Sequence, residues 1–282
     1  GLIMEEKTIY VYEDWSGDAP ALMGKFHVSS VRGKEQFAFE YETAWLTSEA
    51  ANYFLDPDLA LYRGRQYVPM DKRIFGVFAD SCPDRWGRTL MKRQEAIQAR
   101  KENRKPKTLG ESDYLLGVYD WARMGALRFK VQENGEFLAD DKGLAIPPWV
   151  ALRTLEAASL GFENDESGLE EKWLRQLLAP GSSLGGARPK ATVQDAKGNL
   201  WIAKFPSKHD ETNIGAWEKV VHDLAKMCGL DVPEARLETF SKTGSTFLVK
   251  RFDRDGDNRI HFASAMTLLG KTDGASGNDG SS

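Results

Sequence analysis

At 282 residues the chain has room for about two domains of ordinary size, and 41% apolar with 11% aromatic residues is ample for packed cores, which excludes global disorder. Its 38 basic and 42 acidic side chains leave a net charge of −4, which argues against a surface dedicated to nucleic acid or to membrane lipid. No apolar run approaches the roughly 18 residues of a membrane span, and residues 1–6 lack the basic-then-apolar order of a signal peptide.

Along the chain, residues 8–12 (TIYVY) and 36–41 (QFAFEY) have the aromatic and β-branched content of strands, with a shorter strand at 25–29 and turns at Gly17, Pro20, Gly24 and Gly33. A helical pattern then takes over. Residues 84–103 place Trp86, Leu90, Met91 and Ile97 on one side and Lys92, Arg93, Arg100 and Lys101 on the other, until Pro106 and Gly110 break the run. A second helix is expected at 112–119 and a strand at 126–131. Residues 140–148, with Gly143 and two prolines, are the best domain boundary, dividing the chain into 1–139 and 140–282.

Beyond the boundary, residues 149–160 and 169–178 read as amphipathic helices. Residues 187–194 and 200–205 read as a hairpin joined at Lys197-Gly198-Asn199. A helix is expected at 213–228 with Gly229 as its stop, then strands at 235–240 and 245–250, and a last helix at 261–269. The fold class predicted is α+β. Cys82 and Cys228 are 146 positions apart among apolar neighbours, which suggests two buried thiols in a reducing, cytoplasmic setting. The four histidines have no zinc-site spacing.

The strongest chemical signal is residues 181–190 (GSSLGGARPK). Glycines let the backbone approach a ligand and turn successive N–H groups toward phosphate oxygens, and Lys190 can add a point charge. Fourteen positions on, Lys204 lies in the apolar strand WIAKFP, where a lysine is costly to desolvate unless it meets an anion. A nucleotide phosphate or Glu218 of the following helix would serve, as in kinase sites that pair a strand lysine with a helix glutamate. Alternatives remain at this stage: a plain Gly-Gly turn, an edge-strand lysine in water and a surface glutamate. Residues 181–185 also fit G-x-S-x-G formally, but a strand-like run follows where that motif needs a helix. The same residues resemble the opening of a P-loop, but Ala187 stands where its lysine is needed. The basic face at 92–107 would suit nucleic acid or simply solvent.

Taken together, five segments in order resemble the HipA family, the kinase toxins of bacterial HipBA toxin–antitoxin systems. Residues 78–88 (FADSCPDRWGR) are similar to its LPD-x-WG segment, 181–190 to its glycine-rich GGA-x-PK loop and 201–206 to its IxKFP strand. Residues 229–233 resemble its turn after the helix and 249–254 its x-RFDR segment near the inter-lobe hinge. The resemblance implies a small β-rich N-terminal subdomain on the N-lobe of a phosphoinositide-kinase-related Ser/Thr protein kinase, using ATP and Mg²⁺. It implies that Gly185, Gly186, Ala187, Arg188 and Lys190 line the phosphates and that Lys204 holds the α/β-phosphates, with Glu218 as a lysine partner. Lys250, Arg251 and Phe252 would meet the adenine edge through backbone groups, and Ser183 aligns with a loop serine open to autophosphorylation, where a phosphate would add roughly −2 charge and repel ATP. The family's D-x-x-x-x-N catalytic loop and metal-binding aspartate belong to a C-terminal lobe expected beyond Ser282, so no catalytic or metal residue is assigned in this chain. The implied partner is a HipB-like helix-turn-helix antitoxin, with DNA reached only through it and no membrane contact. A non-catalytic module that engages such an antitoxin and modulates transcriptional repression is the alternative function.

Overall fold

Two antiparallel sheets, each with its own apolar core, organise the chain in the computed structural model, which describes residues 5–51, 54–138, 146–165, 171–178 and 186–273. The first sheet contains β1 (Glu6–Glu13), β2 (Ala21–Val31), β3 (Lys34–Tyr41), β4 (Arg65–Tyr67) and β5 (Leu127–Lys130) in the order β4-β3-β2-β1-β5. Alternation along β1 sends Ile9 and Val11 into the core, where Phe26, Phe37, Phe39 and Phe78 form an aromatic cluster. Arg32 and Gly33 both have positive φ, at 52° and 77°, which matches the tight type I′ turn that joins twisted strands such as β2 and β3.

β2 is about twice the length expected from its sequence, because Ala21, Leu22 and Gly24 also pair with β1, and Ser30 and Val31 with β3. Short α1 (Thr43–Leu46), β4 and α2 (Gly76–Ala79) fill a stretch for which no element was expected. The long amphipathic run is α3 (Arg85–Lys101), with Asp84 as its N-cap. α4 (Glu111–Leu116) follows, and a 3₁₀ turn at residues 120–122 leads into β5.

The second sheet has the order β6-β7-β9-β8, from β6 (Lys190–Gln194), β7 (Leu200–Lys204), β8 (Ala235–Ser241) and β9 (Gly244–Lys250). α5 (Leu152–Glu163) and α6 (Glu171–Leu178) cover one face through Leu155, Leu174, Val193, Trp201 and Leu248. α3 joins them: its Trp86 and Leu90 belong to this second core, so a helix that lies in sequence between two strands of the first sheet helps to build the second. α7 (Ile214–Met227) connects β7 to β8, and Gly229 ends it at φ 79°. Its side chains run opposite to the usual order. Gly215 and His222 meet the sheet, whereas Trp217, Val221 and Leu224 are exposed.

After β9 come the two-residue strands β10 (Arg254–Asp255) and β11 (Asn258–Arg259). The last helix, α8 (Ala265–Leu268), is half the length expected, because the Ser264 side chain caps it late and Gly270 stops it at φ 65°. The two thiols also differ from expectation. Cys82 is buried, but Cys228 is exposed at the end of α7. Most of the expected boundary at 140–148 lies outside the described residues, as do Ser183 and Gly185. No helix among the described residues is long and apolar enough to cross a membrane.

Candidate functional site

The register of β6 and β7 sets Lys190 directly opposite Lys204. Residues paired in this way share a sheet face, and two like charges there destabilise each other. Each lysine is matched by a carboxylate from a different helix. Lys204 Nζ forms an ion pair with Glu218 of α7 and lies 5.7 Å from the Phe247 ring centroid. Lys190 Nζ is 2.5 Å from Asp84 Oδ2 at the start of α3 and donates to the Gly186 carbonyl at 3.4 Å.

The two pairs differ in their access to solvent. Lys204 and Glu218 are about one-quarter to one-third exposed, whereas Lys190 and Asp84 are 3% and 4% exposed. Burial lowers the Lys190 ammonium from the ordinary lysine range and raises the Asp84 carboxyl, while each group's charge favours the ionised form of the other. Lys190 was expected to line phosphates. The structure directs its ammonium to Asp84 instead, because the α3 N-terminus packs against the first residue of β6.

α7 holds Glu218 in place through its first turn. The Asn213 side chain accepts from Ala216 N at 3.1 Å and from Ser245 N at 3.0 Å, and donates to Ser245 Oγ at 2.9 Å. Gly215 then backs so closely onto β9 that an added Cβ would overlap the Ser245 carbonyl. This close approach sets the helix over β7 with Glu218 in reach of Lys204.

The remaining predicted residues separate. Gly186, at φ 96°, and Ala187 are exposed beside the lysine pair, so their backbone is open to a ligand. Arg188 is held by Asp210 through two bonds of 2.8 and 2.7 Å. Lys250 pairs with Trp201 across β7 and β9, which puts it on the opposite sheet face from Lys204. There it lines a cleft of about 450 Å³ with Trp149, Trp201, Asp195 and Arg236. The N–H groups of Lys250 and Arg251 already donate to the carbonyls of Glu234 (2.8 Å) and Leu200 (2.9 Å), so these two amides are not free for an adenine edge. Phe252 is the exposed ring of that trio.

Arg251 has a different place from the one expected. It is buried in a charged seam between the two sheets, bonded to Asp253 at 2.7 and 2.8 Å and to the carbonyls of Ala122 and Arg123. Arg254 bonds the carbonyls of Trp121, Arg123 and Gly125, and Arg259 bonds Asp120. Asp253 also accepts from Gly125 N at 2.9 Å. The run Arg251, Asp253, Arg254 and Arg259 after a strand was a signal for such a seam, but periodicity does not reveal its carbonyl partners. No group of His, Cys, Asp and Glu among the described residues has the arrangement of a metal site.

Residues 182–280 match the family model described as the HipA-like C-terminal domain. That match begins in the glycine-rich segment and takes in both Lys204 and Glu218. Over these residues the chain is similar to HipA-like C-terminal domains. Its fold agrees with that of a solved chain from the Shewanella oneidensis MR-1 toxin–antitoxin complex of HipA, HipB and operator DNA, at a TM-score of 0.50 and 20% identity. The alignment covers 89% of this chain and 54% of that one, so the chain spans about half the length of its solved relative. A comparison with curated proteins finds no match. Outside the matched residues, the Pro83–Gly87 motif opens α3, and Gly87 is required there because an added Cβ would stand 2.7 Å from the Pro83 Cβ.

Proposed function

We propose that this chain is the nucleotide-binding portion of a HipA-like Ser/Thr protein kinase of a toxin–antitoxin system. The observation that carries this reading is the Lys204–Glu218 pair, one-quarter to one-third exposed at the end of β7 and close to the open backbone of Gly186 and Ala187. A lysine poised by a glutamate on the adjacent helix is the device that kinases use to hold α/β-phosphates. These residues fit ATP: Lys204 would hold its phosphates and the 186–187 backbone would donate to them. Mg²⁺ would supply positive charge to the phosphates when bound, and no acidic group among the described residues of this site is assigned to it.

Calorimetric titration with MgATP tests the reading. Saturable binding by the wild-type chain, lost in Lys204→Met with the melting temperature retained, is the expected result. Equal binding by the two proteins would refute it. The partner we infer is a HipB-like antitoxin, supported by the match to a chain from a HipA–HipB–operator complex. The same match favours a second reading, a non-catalytic module that acts on repression by occupying the antitoxin. Co-purification with the product of an adjacent reading frame supports this partner, and failure to bind it counts against both statements.

A further inference from the structure

The start of α3 grips the glycine-rich segment at both of its described ends. Trp86 donates from its backbone N to the Gly186 carbonyl at 3.4 Å and from its indole Nε1 to the Lys190 carbonyl at 3.1 Å. Asp84 takes the Lys190 ammonium, which in turn bonds the Gly186 carbonyl. One residue further on, Gly87 lets the helix start fold back against Pro83, and the Asp84 side chain accepts from Gly87 N at 2.9 Å. A cavity of only about 10 Å³ adjoins the pair, enough for roughly one water and far too small for a nucleotide. Lys190 therefore faces packed protein, and its charge is committed to Asp84.

We propose that Asp84 and Trp86 are positioning residues for nucleotide binding: acting through Lys190 and the Gly186 carbonyl, they make the N-terminal unit hold residues 186–190 in the conformation that receives phosphate. This rests on the nucleotide reading given above. Removing one member of a buried pair leaves the other charge uncompensated, whereas removing both does not. Asn at position 84 can still cap α3, so Asp84→Asn takes away the charge and keeps the helix start.

The test is a cycle of Asp84→Asn, Lys190→Met and the double variant, each titrated with MgATP and followed by hydrogen exchange at residues 186–190. Each single variant is expected to bind roughly tenfold more weakly. The double variant is expected to recover most of that loss, because no buried charge is left without a partner. Exchange at 186–190 should rise in the single variants, with α7 unchanged. If Lys190 were itself a phosphate ligand, Asp84→Asn would bind as well as wild type or better and the double variant would show no recovery; that result overturns the proposal. So do single variants that bind within about twofold of wild type. Should the single variants fail to fold, Trp86→Phe keeps the ring and removes the bond to the Lys190 carbonyl. Weaker binding then supports the proposal, and parity with wild type refutes it. If the wild-type chain binds no MgATP, the nucleotide reading fails, yet exchange at 186–190 still decides whether Asp84 anchors the segment.

Discussion

Gly215→Ala is a sharp probe of how α7 is seated. Alanine favours a helix over glycine by up to about 1 kcal/mol, so propensity alone predicts a gain in stability. The packing predicts the opposite. The new Cβ would overlap the Ser245 carbonyl oxygen and stand 2.9 Å from its carbonyl carbon. Carbon atoms rest at about 3.5–4.0 Å, and both obstructing atoms are backbone in β9, so helix and strand would have to part by roughly 1 Å. Overpacking of this kind costs about 1–3 kcal/mol, and it also strains the Asn213–Ser245 bonds that fix the start of the helix. The expected outcome is a net loss of roughly 1–2 kcal/mol, read as a lower urea midpoint at unchanged m-value. Weaker MgATP binding should accompany it, because Glu218 moves away from Lys204. A midpoint equal to or above wild type would refute the close seating of α7 and the geometry built on it.

Two further outcomes can be checked directly. Burial pushes His261 down to about 4, below its usual value of about 6.5, where its ring packs beside Trp15. A depressed folded-state value means that the unfolded chain takes up the proton first, so this contribution is complete above about pH 6.5 and is lost as pH falls toward 4, amounting to roughly 3 kcal/mol. The wild-type chain should therefore lose stability in that window relative to His261→Phe, and parallel pH profiles would rule the effect out. For the thiols, a chromogenic disulfide reagent should titrate one group in the native chain, the exposed Cys228, and two in urea. Burial pushes the Cys82 thiol up to about 12, which suppresses its reactive thiolate until the fold opens.

Local pattern revealed much of this molecule. The alternation in residues 8–12 and 36–41, the apolar spacing of Trp86 and Leu90, and the Lys197-Gly198-Asn199 turn lie where strands, helix and hairpin form. Glu218 was one of two anions weighed for Lys204, by analogy with kinase sites, and the two side chains do meet. What sequence could not supply was direction. Lys190 and Lys204 look alike as strand lysines, but α3, over 80 positions earlier, determines that Lys190 turns inward to Asp84. Arg251 looked like part of a ligand edge, yet the carbonyls of residues 122 and 123 take it, and backbone acceptors leave no trace in a residue pattern. The helix at 261–269 was overdrawn because apolar residues continue before Ser264, where the chain is still extended and tied to Asp80.

The arginine seam between the two sheets has a mechanical consequence. Arginines outnumber the aspartates beside them, and much of their hydrogen bonding goes to main-chain oxygens. Such acceptors neither titrate nor release their donors when salt is added, unlike exposed ion pairs. Acid or salt should therefore loosen the outer surface of the protein while the weld beneath it stays closed. Two hydrophobic cores joined in this way, and sharing α3 besides, would melt together as a single cooperative unit.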